Sequence, residues 1–176
     1  FIVGFDSDPD DIFDRQMQFI RESGIPLAMV GLLTALPDTQ LWRRLEKEGR
    51  LLNVSTGNNT DCSINFIPRM DTSRLVEGYK SILKNIYSPR EYYRRALDCL
   101  GRFHSNRLEP RQVNIRRDLR SFFRVVLDLG IRDHSRLEFW RYFLSLLRHH
   151  TRDFAHGMTL AAMGYHFRLV TEKYCG

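Results

Sequence analysis

Apolar and polar positions along the chain predict short strands first and helices afterwards. Residues 1–5 and 27–33 are nearly continuous apolar runs, as expected of strands covered on both faces in a parallel sheet. Between them apolar residues recur at helical spacing from Phe13 to Ile20, and Gly24 ends the predicted helix. Two strands joined by a helix form a crossover unit, which cannot bury both faces and both edges of its sheet alone. We therefore expect the rest of the sheet to come from elsewhere.

Polar residues and glycines mark the ends of these first helices. Asp8 is the predicted N-cap of the first helix, with Pro9 at the first helical position and two further aspartates in the first turn. A second helix carries Leu41 and Leu45 and ends at Gly49.

A polar, turn-rich stretch over residues 53–61 separates this region from the remainder of the chain. We place the domain boundary at its start, between residues 1–52 and residues 53–176. Residues 64–68 are predicted to form a short strand or an extended, docked segment, and residues 106–114 a linker.

From Asp71 onward the apolar spacing is helical, so the predicted fold class is predominantly α with a small α/β portion. Ser88 and Glu91 form a capping box with Pro89 at the first position of a new helix. Helices are predicted around these apolar stripes: Leu75, Tyr79, Ile82 and Ile86; Tyr93, Leu97 and Leu100; Leu119 to Leu127, closed by Gly130; Leu137 to Leu147; and a last segment from Thr151 to Tyr174.

The stripe from Leu137 to Leu147 allows two interpretations. Its aromatic residues have neighbouring helices to pack against, which favours a place in the core. Docking on a membrane or on a partner helix is the alternative.

Charge divides the chain close to the predicted boundary. Residues 1–70 carry 7 Lys and Arg against 10 Asp and Glu, whereas residues 71–176 carry 20 against 11. A basic half of this kind is compatible with nucleic acid, with an anionic membrane or with a solvated surface. Arg94, Arg95, Arg116, Arg117 and Arg120 could form one basic face, although no nucleic-acid-binding signature accompanies them.

Metal sites are not predicted. Asp6, Asp8 and Asp10 alternate as in a calcium loop, but Asp11 and Met17 stand where that loop needs Gly and Glu. The late histidines lack a third ligand at a suitable spacing. Cys62, Cys99 and Cys175 form neither a disulfide framework nor a metal clip, which favours a reducing, cytoplasmic setting, and no run is long and apolar enough to span a membrane.

Two segments resemble the fifth and sixth strand regions of radical S-adenosylmethionine enzymes. Residues 2–9, Ile-Val-Gly-Phe-Asp-Ser-Asp-Pro, are similar to the strand and Gly-Phe-Pro-Gly-Glu-Thr-like turn of those barrels, with Asp-Ser-Asp in place of Pro-Gly-Glu. Residues 34–41 are similar to the Pro-Gly-Thr-x-Leu segment after the sixth strand, with Asp38 in place of Gly. Segments between residues 48 and 95, among them 65–70 and 86–89, resemble a helical domain of unknown function that follows the barrel in cobalamin-binding radical enzymes.

This resemblance implies the end of a partial (β/α) barrel over residues 1–52, followed by a helical C-terminal domain. It also implies that the turn after the first strand and the backbone of the second help to hold the adenosyl cofactor. Carried over position by position, the cofactor-binding residues would be these: Gly4, Phe5, Asp6, Asp8, Val30, Gly31 and Leu32.

The family holds a [4Fe–4S] cluster with three cysteines in the pattern CxxxCxxC, a spacing that the three cysteines of this chain do not provide. The resemblance therefore implies a C-terminal piece of a methyltransferase-like parent that uses the cluster, S-adenosylmethionine and cobalamin. The piece alone would be inactive, without catalytic or metal-binding residues of its own. The helical part would cap the barrel and shape the substrate pocket.

The partners implied are the upstream barrel and cobalamin domains of the same polypeptide and a substrate that the sequence does not identify. Nucleic acid is not an expected partner on this interpretation. We expect the open sheet to be covered by the helical part or by a second copy, or to pair differently. The alternative function is a non-catalytic basic helical module that binds a protein or nucleic acid.

Overall fold

A computed structural model describes residues 1–52, 64–102 and 115–175. For residues 115–118 and 174–175 it describes the backbone only. The described chain is predominantly helical with a two-stranded sheet, as the sequence predicted. It forms two compact units. The first comprises Phe1–Ile20, Ala28–Ile86 and the chain from Val170 onward; the second comprises Arg21–Leu27 and Tyr87–Leu169. The boundary expected between residues 52 and 53 stays a prediction.

The sheet of the first unit consists of two short parallel strands. Strand β1 (Ile2–Val3) pairs with β2 (Gly31–Leu32), with Ile2 opposite Gly31 and Val3 opposite Leu32. The apolar run over residues 27–33 predicted a longer strand. Pairing is short because Gly4 leaves the strand direction at a φ of 109°, so β1 offers few partners.

Helix α1 (Ile12–Ser23) and helix α2 (Gln40–Lys47) end at glycines, as predicted. Gly24 and Gly49 adopt φ values of 68° and 66°, which glycine reaches without steric cost. After α2 the Gly49 N–H donates to the Glu46 carbonyl and the Arg50 N–H to the Leu45 carbonyl, which is a Schellman motif. This turn fixes the direction in which the chain, and with it Arg50, leaves the helix.

The prediction that Asp8 caps α1 is wrong. The helix begins at Ile12, and the Asp8 carboxylate points back to the end of β1. The capping rule failed because the backbone N–H groups of the preceding turn compete for the same carboxylate.

Residues of α2 and of the segments on either side of it pack on a small apolar cluster of Ala35, Leu45 and Phe66. Phe66 forms an isolated antiparallel bridge with Leu51, so residues 64–68 are an extended, docked segment. Helix α3 (Thr72–Ile86) buries the four apolar residues of its predicted stripe.

Four further α-helices follow in the described chain: α4 (Pro89–Arg102), α5 (Ile115–Leu127), α6 (Arg136–His149) and α7 (Phe154–Cys175). A π-helical turn (Asp128–Arg132) lies between α5 and α6, and a 3-10 turn (Thr151–Asp153) precedes α7. Helix α4 begins at Pro89, as predicted. Helix α5 does not close at Gly130, because the π-helical turn continues through that residue. The break before α7 separates His149 from His156.

The second unit has an aromatic core, but α6 contributes a different face from the one predicted. Phe139, Tyr142 and Leu146 are buried, whereas Leu137 and Leu144 are 70% and 62% exposed. Almost every position of α6 that is not charged is apolar, so the periodicity did not distinguish its inner from its outer face. The residues of the predicted loop over 53–61 and of the linker over 106–114 lie outside the described chain.

Helices of the second unit pack closely where a glycine faces an aromatic ring. A Cβ added at Gly164 would overlap the ring of Tyr92, whose hydroxyl donates to the Leu160 carbonyl at 2.7 Å. Within the described part of the chain, none of the helices has the length and apolar character needed to cross a bilayer.

Candidate functional site at the carboxyl end of the strands

The turn that follows β1 is held by its own aspartate. The Asp8 carboxylate accepts hydrogen bonds from the backbone N–H of Gly4 at 2.7 Å and of Phe5 at 3.0 Å. The Asp8 N–H in turn donates to the Phe5 carbonyl at 3.0 Å. The turn is therefore a closed loop of hydrogen bonds, placed where ligands bind in parallel α/β folds.

Asp6 lies at the tip of this turn and binds arginines. Its two carboxylate oxygens accept from the two terminal nitrogens of Arg50 at 2.7 and 2.9 Å, a bidentate pair. Arg44 donates to Oδ2 of the same carboxylate at 2.9 Å, and Arg69 lies 3.7 Å from it.

The electrostatics of this cluster follow from the bidentate pair. Hydrogen bonding from Arg50 lowers the pKa of Asp6 below its ordinary value, with further lowering by the charges of Arg50, Arg44 and Arg69, although partial burial opposes it. The same bond, together with one to Glu48, raises the pKa of Arg50. Asp6 is therefore ionised across the physiological range and fully engaged by arginines.

Arg50 connects the turn to the end of α2 and to the docked segment 64–68. Its Nε donates to the Ile67 carbonyl at 2.8 Å, and one terminal nitrogen also contacts Glu48 at 2.8 Å. The side chain of Asp6 thus fastens the β1 turn to two other segments of the first unit, instead of standing free to bind a ligand.

The second strand contributes backbone groups. The Gly31 N–H donates to the Phe1 carbonyl and the Leu33 N–H to the Val3 carbonyl, at 3.0 and 2.8 Å. In a parallel pair successive residues direct their peptide groups to opposite sides, so those of Val30 and Leu32 point away from β1. Both side chains are buried, whereas a Cβ at Gly31 would meet no described atom within 4 Å.

The structure brings four of the sequence-predicted positions together at the carboxyl end of β1, whereas Gly31 and Leu32 lie alongside β1, opposite Ile2 and Val3, and Val30 precedes them. Gly4, Phe5, Asp6 and Asp8 share the turn, and a Cβ at Gly4 would lie 3.5 Å from that of Leu33, directly after β2. The Phe5 side chain is 43% exposed. Whether these residues hold a cofactor stays a prediction.

Sequence reasoning missed the arginines and Asn65. No role was predicted for Arg50, and its sequence neighbours, which include Arg43, Arg44 and Lys47, give no signal that sets it apart. Asn65 is buried and makes two hydrogen bonds to Ala35: its Oδ1 accepts from the Ala35 N–H at 2.9 Å, and its Nδ2 donates to the Ala35 carbonyl at 2.7 Å.

The aspartates and histidines considered as metal ligands do not assemble into a site within the described ranges. No group of three or more His, Cys, Asp or Glu there is placed to hold a metal ion. Asp10 pairs with Arg74 instead of converging with Asp6 and Asp8. A cavity of about 350 Å³ at the junction of α6 and α7 is lined partly by His149 and His150.

The proposed basic face is partly wrong. Arg95 is fully buried, and it donates to the Ile25 and Pro26 carbonyls at 2.5 and 3.2 Å. Arg94 pairs with Glu91 and Asp98. Arg120 is exposed, and the side chains of Arg116 and Arg117 lie outside the described set.

Comparisons with known proteins identify the family. Residues 39–176 match the model of a family described as "Domain of unknown function (DUF4070)". The uncharacterized methyltransferase sll1242 of Synechocystis sp. is 32% identical over 173 residues, which are 95% of this chain and 32% of the relative. The hopanoid C-2 methylase of Rhodopseudomonas palustris is 32% identical over 152 residues, which are 83% of this chain and 28% of that relative.

The chain spans about a third of the length of these curated relatives. No solved structure matches it significantly. The family match covers more than three quarters of the chain, and both relatives are named for methyl transfer. The chain belongs to the DUF4070 family, a domain found in radical S-adenosylmethionine and cobalamin methyltransferases.

Proposed function

We propose that this chain is the C-terminal part of a cytoplasmic, cobalamin-dependent radical S-adenosylmethionine methyltransferase. The family match and the two relatives named for methyl transfer carry the proposal. The parallel β1–β2 pair supplies the end of the barrel, and the helices cap the barrel and shape the substrate pocket.

The turn after β1 and the backbone of β2 would offer polar groups to the adenosyl part of S-adenosylmethionine. Gly31 leaves open space where a side chain would stand, and Gly4 turns the chain in a conformation that disfavours other residues. Gly4, Phe5, Val30, Gly31 and Leu32 would hold the cofactor, which supplies the transferable methyl group and the radical precursor.

Asp6 and Asp8 act by positioning in this proposal. Asp8 fixes the peptide groups of Gly4 and Phe5, and Asp6 anchors the turn to Arg50. Neither carboxylate is assigned a direct contact with the cofactor. The described residues do not fit an iron–sulfur cluster, since no set of metal-binding side chains assembles among them.

The substrate class follows from the relative whose name includes a hopanoid. We extend that to an apolar lipid as the methyl acceptor of the parent enzyme. The chain itself contributes no catalytic residue in this proposal, so the 176 residues alone have no activity.

The test uses the full-length parent protein, expressed anaerobically and reconstituted with iron, sulfide and cobalamin. We expect iron–sulfur absorbance, reductive cleavage of S-adenosylmethionine and transfer of a labelled methyl group to a lipid extract. A Gly31→Val variant should raise KM for S-adenosylmethionine, whereas Gly49→Asn, at a glycine outside the strands, should leave it unchanged. An intact parent that never binds a cluster would end the proposal.

A further inference from the structure

Two rows of exposed apolar side chains lie on adjacent helices of the second unit. On α5 the row consists of Leu119, Phe123 and Leu127, spaced four residues apart along one face. On α6 it consists of Leu137, Leu144 and Leu147. We call these six residues the α5–α6 surface.

The two rows are connected through Trp140. Its indole N–H donates to the Gly130 carbonyl at 3.0 Å, and its ring would contact a Cβ at Gly130 at 3.1 Å. Ile131, next to Gly130, is 59% exposed. Trp140 therefore brings the exposed side of α6 against the turn that continues α5.

The α5–α6 surface is not a remnant of the core. Each helix has another face that packs inward. The half-buried Phe122 of α5 contacts Phe143 and Phe154, and Phe139, Tyr142 and Leu146 of α6 are buried. Contiguous exposed apolar patches are uncommon on soluble proteins and mark interaction sites.

Arginines border the α5–α6 surface on both helices. Arg120 and Arg124 follow Leu119 and Phe123 directly in the α5 sequence, and Arg136 and Arg148 flank the α6 row. Within the described ranges none of these four arginines has an ion-pair partner, in contrast to Arg132 and Arg141, which pair with neighbouring acids. The positive charge of the arginines beside the apolar rows is therefore not balanced by neighbouring carboxylates of the described chain.

We propose that the α5–α6 surface docks on an anionic phospholipid bilayer. Leucine, phenylalanine and tryptophan beside unpaired arginines is the composition of helices that lie in the membrane interface. The apolar rows would enter the boundary between headgroups and acyl chains, and the arginines would contact lipid phosphates. A protein partner would have to present both a complementary apolar face and acidic residues matched to these arginines, whereas an anionic bilayer offers both without a specific fit.

The inference uses only residues of the second unit, and its test needs neither cofactor nor substrate, so its failure is distinguishable from failure of the proposed function. The 176-residue chain is sedimented with vesicles of pure phosphatidylcholine or of phosphatidylcholine with one third phosphatidylglycerol. We expect binding to the anionic vesicles, little binding to the neutral ones, and weakening by salt.

Two pairs of variants test the residues. Leu144→Asp should weaken partitioning by about tenfold or more, whereas Leu36→Asp, at an exposed leucine of the first unit, should not. Arg124→Gln should weaken it by about fivefold, and Arg43→Gln should leave it unchanged. All four side chains are exposed, so circular dichroism should show the same folded chain.

A Trp42→Phe variant leaves Trp140 as the reporting tryptophan, and its emission should shift to the blue on anionic vesicles. A folded chain that fails to bind these vesicles, or Leu144→Asp binding as wild type does, would overturn the inference. Self-association that Leu144→Asp abolishes, without vesicle binding, would also overturn it and assign the surface to a second copy.

Discussion

Replacing Asn65 by Asp tests how a buried side-chain amide holds the first unit together. In the native chain Asn65 pairs with both the N–H and the carbonyl of Ala35, as a neighbouring strand would. Asp keeps the shape and the acceptor for the Ala35 N–H. It loses the donor and places a negative oxygen against the Ala35 carbonyl.

The magnitude follows from these changes. The lost hydrogen bond contributes about 1 kcal/mol, and leaving a buried carbonyl unpaired costs about 1–3 kcal/mol more. Burial of the carboxylate adds to this, while its bond to the Ala35 N–H offsets part of it. We expect the free energy of unfolding to fall by about 2–4 kcal/mol at pH 7.

Urea unfolding followed by tryptophan fluorescence measures this loss, because Trp42 packs against the Ala35, Leu45 and Phe66 cluster. Gln40→Glu is the matched control: it makes the same amide-to-acid change at an exposed first-turn position of α2 and should alter stability by less than about 0.5 kcal/mol.

The pH dependence gives the reasoning a second test. In the Asn65→Asp variant, burial raises the folded-state pKa of the introduced carboxyl above its unfolded value of about 3.9. The penalty relative to wild type is therefore full above the folded pKa and shrinks as pH falls toward the unfolded pKa, where a protonated carboxyl donates to Ala35 again. A loss below about 0.5 kcal/mol at pH 7, or one that is constant with pH, would refute the double hydrogen bond.

Three further substitutions test other parts of the fold. Gly164→Ala places a methyl group in steric overlap with the Tyr92 ring and should lower stability by about 2–4 kcal/mol in thermal unfolding. Gly101→Ala, whose added Cβ has its nearest contact at 3.9 Å, should raise stability by up to about 1 kcal/mol. Equal effects of the two substitutions would contradict the packing argument. Asp6→Asn should lower stability by about 2 kcal/mol at pH 7. Because the folded-state pKa of Asp6 is lowered, its contribution to stability is present above the unfolded pKa and is lost as pH falls through the folded pKa. Urea unfolding at several pH values should therefore show that the free energy of unfolding falls less steeply toward acid pH in the variant than in the native chain. Asp11→Asn, at an exposed ion pair, is the nearly neutral control. Asp38→Gly should raise the melting temperature, because Asp38 has a φ of 65°. Glu46→Gly inside α2 should lower the melting temperature, since it reduces the free energy of unfolding by about 1 kcal/mol. A lower melting temperature for Asp38→Gly would be inconsistent with strain at that residue.

Local signals predicted much of the helical architecture. The spacing of Leu75, Tyr79, Ile82 and Ile86 identified the buried face of α3, because a helix with one apolar stripe has one way to face the core. Pro89 and Gly49 marked helix ends, since proline and glycine act on the backbone of their own turn.

Long-range choices were not predictable in the same way. The pairing of Asp6 with Arg50 joins residues 44 positions apart, and many arginines compete for a carboxylate in sequence. Arg95 can be buried because the Ile25 and Pro26 carbonyls accept hydrogen bonds from its guanidinium, and no local sequence pattern reveals this pairing. For α6, Leu144 and Leu146 are equally apolar, and only the packed neighbours decide which is enclosed.

The candidate site was predictable to the level of its backbone. The turn that contains Gly4 follows β1 at the carboxyl end of the sheet, where the resemblance placed it, and its role in holding a cofactor stays a prediction. The roles of Asp6 and Asp8 were not, because a carboxylate near a strand end serves equally as a ligand or as an anchor until its partners are known.

The division of the chain into units has a consequence for how it can be dissected. Helix α1 begins in the first unit and ends in the second, and α7 passes from the second to the first. Each unit is therefore assembled from separate stretches of polypeptide, and no single cleavage releases either one whole. Limited proteolysis at one site should leave fragments that remain associated until denaturant is added.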